Sequence, residues 1–228
     1  SSSLAMRLST FGTNLPERLF VPIVLSTSGA NGSYFTSELT LTNRASQEAR
    51  LEFTYTTAIG SGSGTATDTL PAGRQKVVRD ALAYLRSLGI PIPDNGNQGG
   101  TLSVLVRGVP ASNLGLVVKT TTATGNGRAG LAYGGVSLSQ ALWGPSYLVG
   151  LRQDNQDRSN VAIQNIGDVI DGEITLRVTV FGTQPSSSGS TAPPDVELSP
   201  GEFRQINSIL TSNGLDLQEG YVRVERVS

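Results

Sequence analysis

Apolar and polar side chains alternate in short stretches along most of this chain, and each stretch reads as a half-buried β-strand. Leu4, Met6 and Leu8 alternate in "SSSLAMRLSTFG", and Leu39 and Leu41 alternate in "SELTLTN". The same rule holds for "LEFTY" from Leu51, "GGTLSVLV" from Gly99, "NLGLVVKTTT" from Asn113, "SNVAIQN" from Ser159, "ITLRV" from Ile174 and "EGYVRVER" from Glu219. The alternation gives way to a helical turn where Leu82, Leu85 and Leu88 share one face, with Asp80 placed to cap its start and Gly89 to end it. The pattern predicts an all-β protein.

Set side by side, the two halves match element by element, which is the signature of a long-period repeat. "LFVPIV" from Leu19 corresponds to "YLVGLR" from Tyr147, "SELTLTN" ending at Asn43 to "SNVAIQN" ending at Asn165, and "LEFTY" from Leu51 to "ITLRV" from Ile174. A Gly/Ser-rich loop follows in each half, "IGSGSGTATD" and "FGTQPSSSGSTAPPD". Then "LPAGRQKVVRDAL" matches "LSPGEFRQINSIL", pairing Leu70 with Leu198, Gly73 with Gly201, Val78 with Ile206 and Leu82 with Leu210. The second half also predicts a helical turn, capped by Asn207 or Ser208 and ended by Gly214. Each repeat, on the order of 100 residues, has the size and pattern of a small antiparallel, immunoglobulin-like β-sandwich. Two such sandwiches in tandem are expected.

The first repeat continues into a further strand at Leu114–Thr122, a Gly-Asn-Gly turn and another short extended piece, for which the second repeat has no counterpart. That strand does have a copy at the other end of the sequence. Leu114, Leu116, Val118 and Thr120 align with Leu4, Met6, Leu8 and Thr10. The predicted division is therefore a donor segment over 1–14, a first repeat over 15–140 with its extra strands at 114–137, and a second repeat over 141–228 lacking its last strand. An open sandwich exposes apolar surface and unpaired backbone groups, and an alternating strand is the natural filler. Three buried side chains at about 1.5–3 kcal/mol each, with the ladder bonds, are enough to hold two subunits together.

On this reading Leu4, Met6, Leu8, Thr10 and Phe11 form a donor strand, and Tyr221, Val222, Val224 and Val227 form the acceptor edge of another subunit. Such a contact is heterologous and propagates into a filament. Three other arrangements stay open: the N-terminal strand closes its own second repeat in cis, it pairs inside the first repeat, or the chain is a piece of a longer array whose neighbours supply the strand.

Composition narrows the function more by exclusion than by pointing. The formal net charge is -1 and the 17 basic residues are scattered, so no stripe is present to track a phosphate backbone, and nucleic acid is not an expected partner. The longest apolar run, "LFVPIVL", is far short of the roughly 20 residues of a membrane span. Met6 is the only methionine, so the serine-led start reads as a cleavage point, most simply after a secretory signal.

Histidine and cysteine are absent, which removes the commonest general base, transition-metal ligand and thiol nucleophile. The nearest carboxylate pair, Asp154 and Asp157 in "LRQDNQDRSN", reads as a polar loop, and a calcium site there or at Asp94 lacks EF-hand spacing. No cofactor and no catalysis are expected. A carbohydrate-binding face has as candidates Tyr34, Phe35, Tyr55 and Tyr133, while Trp143 is expected to pack the repeats together. A sequon places possible glycosylation at Asn31.

The "VPIVLSTSGANGSYFTSELTLTN" opening and the "LSPGEFRQINSIL" element resemble tandem β-sandwich modules of large secreted bacterial proteins. The assembly mode resembles donor-strand exchange in bacterial pilins. The first resemblance implies an extracellular, cell-surface address and a modular, non-catalytic role. The functional expectation is a homopolymeric filament subunit, and the alternative is a monomeric adhesive module that binds surface glycans and is closed by its own N-terminal strand.

Overall fold

The computed structural model describes residues 16–29, 32–167, 169–182 and 194–228, and the fold they form is all-β with antiparallel ladders. In the first half the strands are β1 (Glu17–Ser28), β2 (Tyr34–Asn43), β3 (Ala49–Ile59), β4 (Gly64–Leu70), β5 (Gln75–Val78), β6 (Gln98–Arg107), β7 (Leu114–Thr124), β8 (Gly127–Gly134) and β9 (Val136–Ser137), with helix α1 (Ala81–Ser87) between β5 and β6. The second half contains β10 (Ser146–Arg152), β11 (Val161–Gln164), β12 (Ile174–Gly182), β13 (Val196–Leu198), β14 (Phe203–Ile206) and β15 (Glu219–Arg226).

The strands of the first half connect in the order β4-β3-β6-β1-β2-β7-β8, with β5 added on β2 and β9 on β1. β1 and β2 pair only at their shared hairpin, through Ser26–Ser28 and Tyr34–Thr36. Beyond that corner β1 runs with β6, while β2 takes β5 on one side and β7 on the other. The two legs close over one hydrophobic core to which β1, β2, β3, β6 and β7 all contribute. Alternation sets which side chains enter it: Leu51, Phe53 and Tyr55 from β3, Leu39 and Leu41 from β2, and Leu116 and Val118 from β7 are all buried. Helix α1 covers part of this core with Ala81, Leu82 and Leu85, and the Asp80 carboxylate accepts the Ala83 N–H at 2.9 Å as its N-cap. Tyr84 sets its ring edge-on to Phe53, with centroids 5.9 Å apart.

A separate cluster forms in the second half, from Val161, Leu176, Val178, Val180, Val196, Leu198, Ile209, Leu210 and Val222. Its main sheet has the order β10-β15-β12-β13, and β11 pairs with β14 alongside. The expected helical turn is here a hydrogen-bonded turn at Ser208–Thr211 followed by a short 3-10 segment at Ser212–Gly214. Neither Asn207 nor Ser208 caps it with a side chain; instead the Ser208 N–H donates to Asn160 Oδ1 at 3.0 Å.

Local devices recur between the halves. Asn43 ends β2, donates through Nδ2 to the Leu70 carbonyl at 2.9 Å and accepts the Ala45 N–H through Oδ1 at 2.9 Å. Asn165 follows β11, donates to the Leu198 carbonyl at 3.0 Å and accepts the Gly167 N–H at 2.9 Å. A bulge lies between Val21 and Val24 in the β1–β6 ladder, and another between Leu148 and Leu151 in the β10–β15 ladder. These bulges put Val21 opposite Leu102 and Leu148 opposite Val222, so the ladders equate Leu19 with Ser146, one residue from the alignment with Tyr147. The β3 and β12 ladders likewise equate Leu51 with Leu176, two residues from the alignment with Ile174.

Candidate functional site

The two halves differ in how their cores are covered. In the first, β7 pairs along the whole of β2, from Phe35 opposite Thr122 to Asn43 opposite Leu114. Leu39 and Leu41 are then fully enclosed, and so is Val21 on β1. In the second half, β11 pairs with β14 on one side, Val161 opposite Ile206 and Ile163 opposite Arg204. Among the described residues its other edge has no ladder partner.

The side chains around that edge show what is left uncovered. Leu148 lies opposite Val222, and residues directly opposite in an antiparallel pair project to the same face. Val222 is a fully buried member of the second core, so Leu148 points to the core side, yet it is 43% exposed. Leu151 and Ile163 pack against the same core and are only half-buried. Together Leu148, Leu151 and Ile163 make an apolar cleft between β10 and the free edge of β11. Surface of this kind, bordered by unpaired N–H and C=O groups, fits an added strand.

Ser159, just before β11, sits at one end of the cleft. Its hydroxyl donates to the Arg152 carbonyl at 2.8 Å and accepts the Arg152 N–H at 3.0 Å. In the first half Ser37 accepts the Leu25 N–H at 2.9 Å and shares a second hydrogen bond of 2.7 Å with the Thr120 hydroxyl on β7.

The candidate residues read from the sequence divide sharply. Leu4, Met6, Leu8, Thr10 and Phe11 lie outside the described residues, as does Asn31. The expected acceptor edge at Tyr221, Val222 and Val224 is corrected. These residues lie on β15, which pairs with β10 on one side and β12 on the other, so their backbone groups already have partners. Tyr221 also stacks on Phe181 with centroids 4.7 Å apart. Val227 lies just past β15, where its N–H donates to the Thr175 carbonyl at 2.9 Å. Among the described residues the edges of the second half without a ladder partner are those of β10, β11, β13 and β14. Pairing Asn43 with Asn165 singles out β11 among them, because β2 has β7 on the corresponding side.

Other candidates are also moved. Tyr55 is a core residue and offers no exposed ring; Tyr34 is half-exposed and hydrogen bonds Ser26 at 2.8 Å; Phe35 and Tyr133 are half-buried. Trp143, expected to pack the repeats together, is 77% exposed. The halves meet elsewhere, where β1 approaches β11 and Thr101 Oγ1 comes within 3.5 Å of the Gly201 carbonyl. Asp154 closes a turn by accepting the Gln156 and Asp157 N–H groups, each at 2.7 Å. Those backbone donors hold its carboxyl below the usual range, which suits an exposed loop anion. Among the described residues no helix is long and apolar enough to cross a membrane.

Neither a protein-family model nor a curated protein matches the chain. A solved structure described as "Crystal Structure of Thermotoga maritima 1070" is similar at 16% identity, covering 57% of this chain and 100% of that one, with a TM-score of 0.39.

Proposed function

We propose that the protein is a secreted structural subunit that polymerises head to tail into an extracellular, pilus-like filament on a bacterial surface. In this reading it consists of two tandem immunoglobulin-like sandwich repeats, and residues 1–14 of one subunit complete the second repeat of the next. The protein needs no cofactor and does no chemistry; its partner is another copy of itself.

The observation that carries the reading is the contrast between Val21, fully buried, and Leu148, 43% exposed, at corresponding places in two matching ladders. β7 lies against β2 in the first half, and Leu4, Met6, Leu8 and Thr10 repeat the β7 sequence at Leu114, Leu116, Val118 and Thr120. The recurrence of the Asn43 bracket at Asn165 supports the tandem repeat itself. Closure in cis by the same segment is the competing arrangement, and the oligomeric state of the full chain separates the two.

Electron microscopy and light scattering on the full chain, on a chain without residues 1–14 and on a Met6→Asp/Leu8→Asp variant test this. Fibres from the full chain and folded monomers from both variants are expected. A single species near the 23.8 kDa chain mass at every concentration of the full chain, or undiminished fibres from both variants, overturns it.

A further inference from the structure

We infer that the acceptor in this junction is the free edge of β11, and that the Ser159 hydroxyl fixes the register of the incoming strand by pairing with Thr10 of the neighbouring subunit. The inference rests on the head-to-tail reading and adds to it the edge, the direction and the residue-by-residue pairing.

The first half supplies the template. β7 runs antiparallel to β2 with Leu114 opposite Asn43, Leu116 opposite Leu41, Val118 opposite Leu39 and Thr120 opposite Ser37. Carried to the second half through Asn43 and Asn165, this register sets Leu4 opposite Asn165, Met6 opposite Ile163, Leu8 opposite Val161 and Thr10 opposite Ser159. Met6 and Leu8 then enter the cleft where Leu148 is 43% exposed and Ile163 half-buried, as Leu116 and Val118 enter the first core.

Side-chain period alone admits slips of two residues, because a two-residue shift keeps the same face inward. A directional polar contact separates those registers. Ser37, only 1% exposed, provides it in the first half by bonding Thr120 at 2.7 Å while accepting the Leu25 N–H. Ser159 already holds the matching N–H, that of Arg152, and is half-buried at the cleft mouth. A hydroxyl has one proton and two lone pairs. With the proton on the Arg152 carbonyl and one lone pair on the Arg152 N–H, a lone pair remains for the Thr10 hydroxyl. A strand shifted by two residues loses that contact and strands a hydroxyl in a covered site.

The chain has no native cysteine, so single-cysteine variants report the pairing cleanly. Full-length Arg7→Cys protein, which keeps both hydroxyls, is mixed with Ala162→Cys protein, or with Gln164→Cys protein as the register shifted by two, then assembled and oxidised. A disulfide between different variants is intermolecular by design. The expected result is at least tenfold more Arg7→Cys/Ala162→Cys heterodimer than Arg7→Cys/Gln164→Cys heterodimer, with residues 7 and 162 joined in the digested peptides. Filaments with equal or reversed yields, or with no cross-link to either position, overturn the inferred edge and register and leave head-to-tail assembly standing. Absence of filaments from the unmodified chain removes the functional reading and this inference with it. Should the cysteine variants fold poorly, Ser159→Ala in the full chain gives a second readout. It is expected to lower the urea midpoint of filament dissociation while leaving that of the dissociated chain in place; an unchanged dissociation midpoint overturns the role of the hydroxyl.

Discussion

Leu148 lies directly opposite Val222 across the β10–β15 ladder, and the two side chains share a face, yet Val222 is wholly buried and Leu148 is 43% exposed. The corresponding pair in the first half, Val21 and Leu102, is buried on both sides. One ladder thus appears in two settings, covered and uncovered.

Truncation at the two settings should cost different amounts. Val21→Ala removes apolar volume from an enclosed core and should destabilise the unassembled chain by about 2 kcal/mol. Leu148→Ala removes a larger side chain but should cost under about 1 kcal/mol there, because much of it is already in water. Urea unfolding of both variants under dissociating conditions checks this. In assembled material the order should reverse, with Leu148→Ala lowering the dissociation midpoint more than Val21→Ala.

Asn43 and Asn165 should behave as twins. Each amide spans the end of a strand and the carbonyl of a buried leucine, Leu70 or Leu198. Alanine at either position leaves that carbonyl without its donor and should cost about 2–3 kcal/mol, since a buried polar group stranded by mutation loses its full desolvation energy. Thermal or urea unfolding measures it, and aspartate should be worse than alanine because it adds a buried charge facing a carbonyl.

The strand pattern was readable because alternation and burial coincide in β2, β3 and β7, where one face is core and the other is not. The Asp80 cap and the Leu82/Leu85 face of α1 were readable for the same reason, a local rule meeting a tertiary one. Register was harder. β10 carries exposed apolar side chains in succession at Tyr147, Leu148 and Val149, so sequence alone slid it by a residue. The proposed incoming strand rests on the repeat, and the edge it would join was not legible. Sequence neighbours suggested β15, whereas the ladder that β7 completes starts at β2, far away along the chain. Trp143 was misplaced because a large aromatic at a junction suggests packing, whereas the halves touch where β1 approaches β11 and Thr101 approaches Gly201.

Gly100 and Gly220 let adjacent strands, β6 on β3 and β15 on β12, approach where a side chain cannot fit. A Cβ at Gly100 would stand 2.1 Å from the Thr56 carbonyl oxygen, and one at Gly220 would stand 2.4 Å from that of Phe181. Both obstacles are backbone, so the strands must part to admit a methyl group. Gly100→Ala and Gly220→Ala should each cost about 2 kcal/mol or more, within the range of overpacked cores. Hydrogen exchange should show the loss at the β3–β6 ladder for the first and at the β12–β15 ladder for the second.

The pH dependence of stability should trace in part to Asp68, which receives hydrogen bonds from Lys76 and Tyr84. Partial burial pushes its carboxyl up, but those two donors, the Thr69 N–H and the Lys76 charge together outweigh it and hold the group below the ordinary value. The folded chain therefore binds this proton less readily than the unfolded one. The contribution is complete above the unfolded value near pH 4 and disappears as pH falls through the lower folded value. Tyr84 works in the opposite sense. Burial first, then its bond to Asp68 and the nearby negative charge, push the phenol well above its usual value. Its share of stability is complete below about pH 10 and is lost as pH rises beyond that. Chemical unfolding of the dissociated chain from pH 2 to 11 should show both declines. Asp68→Asn should flatten the acid limb, and Tyr84→Phe should flatten the alkaline limb while leaving much of the acid limb, because Lys76 still pairs with Asp68. An acid limb of unchanged slope in Asp68→Asn would assign the proton uptake to other carboxylates.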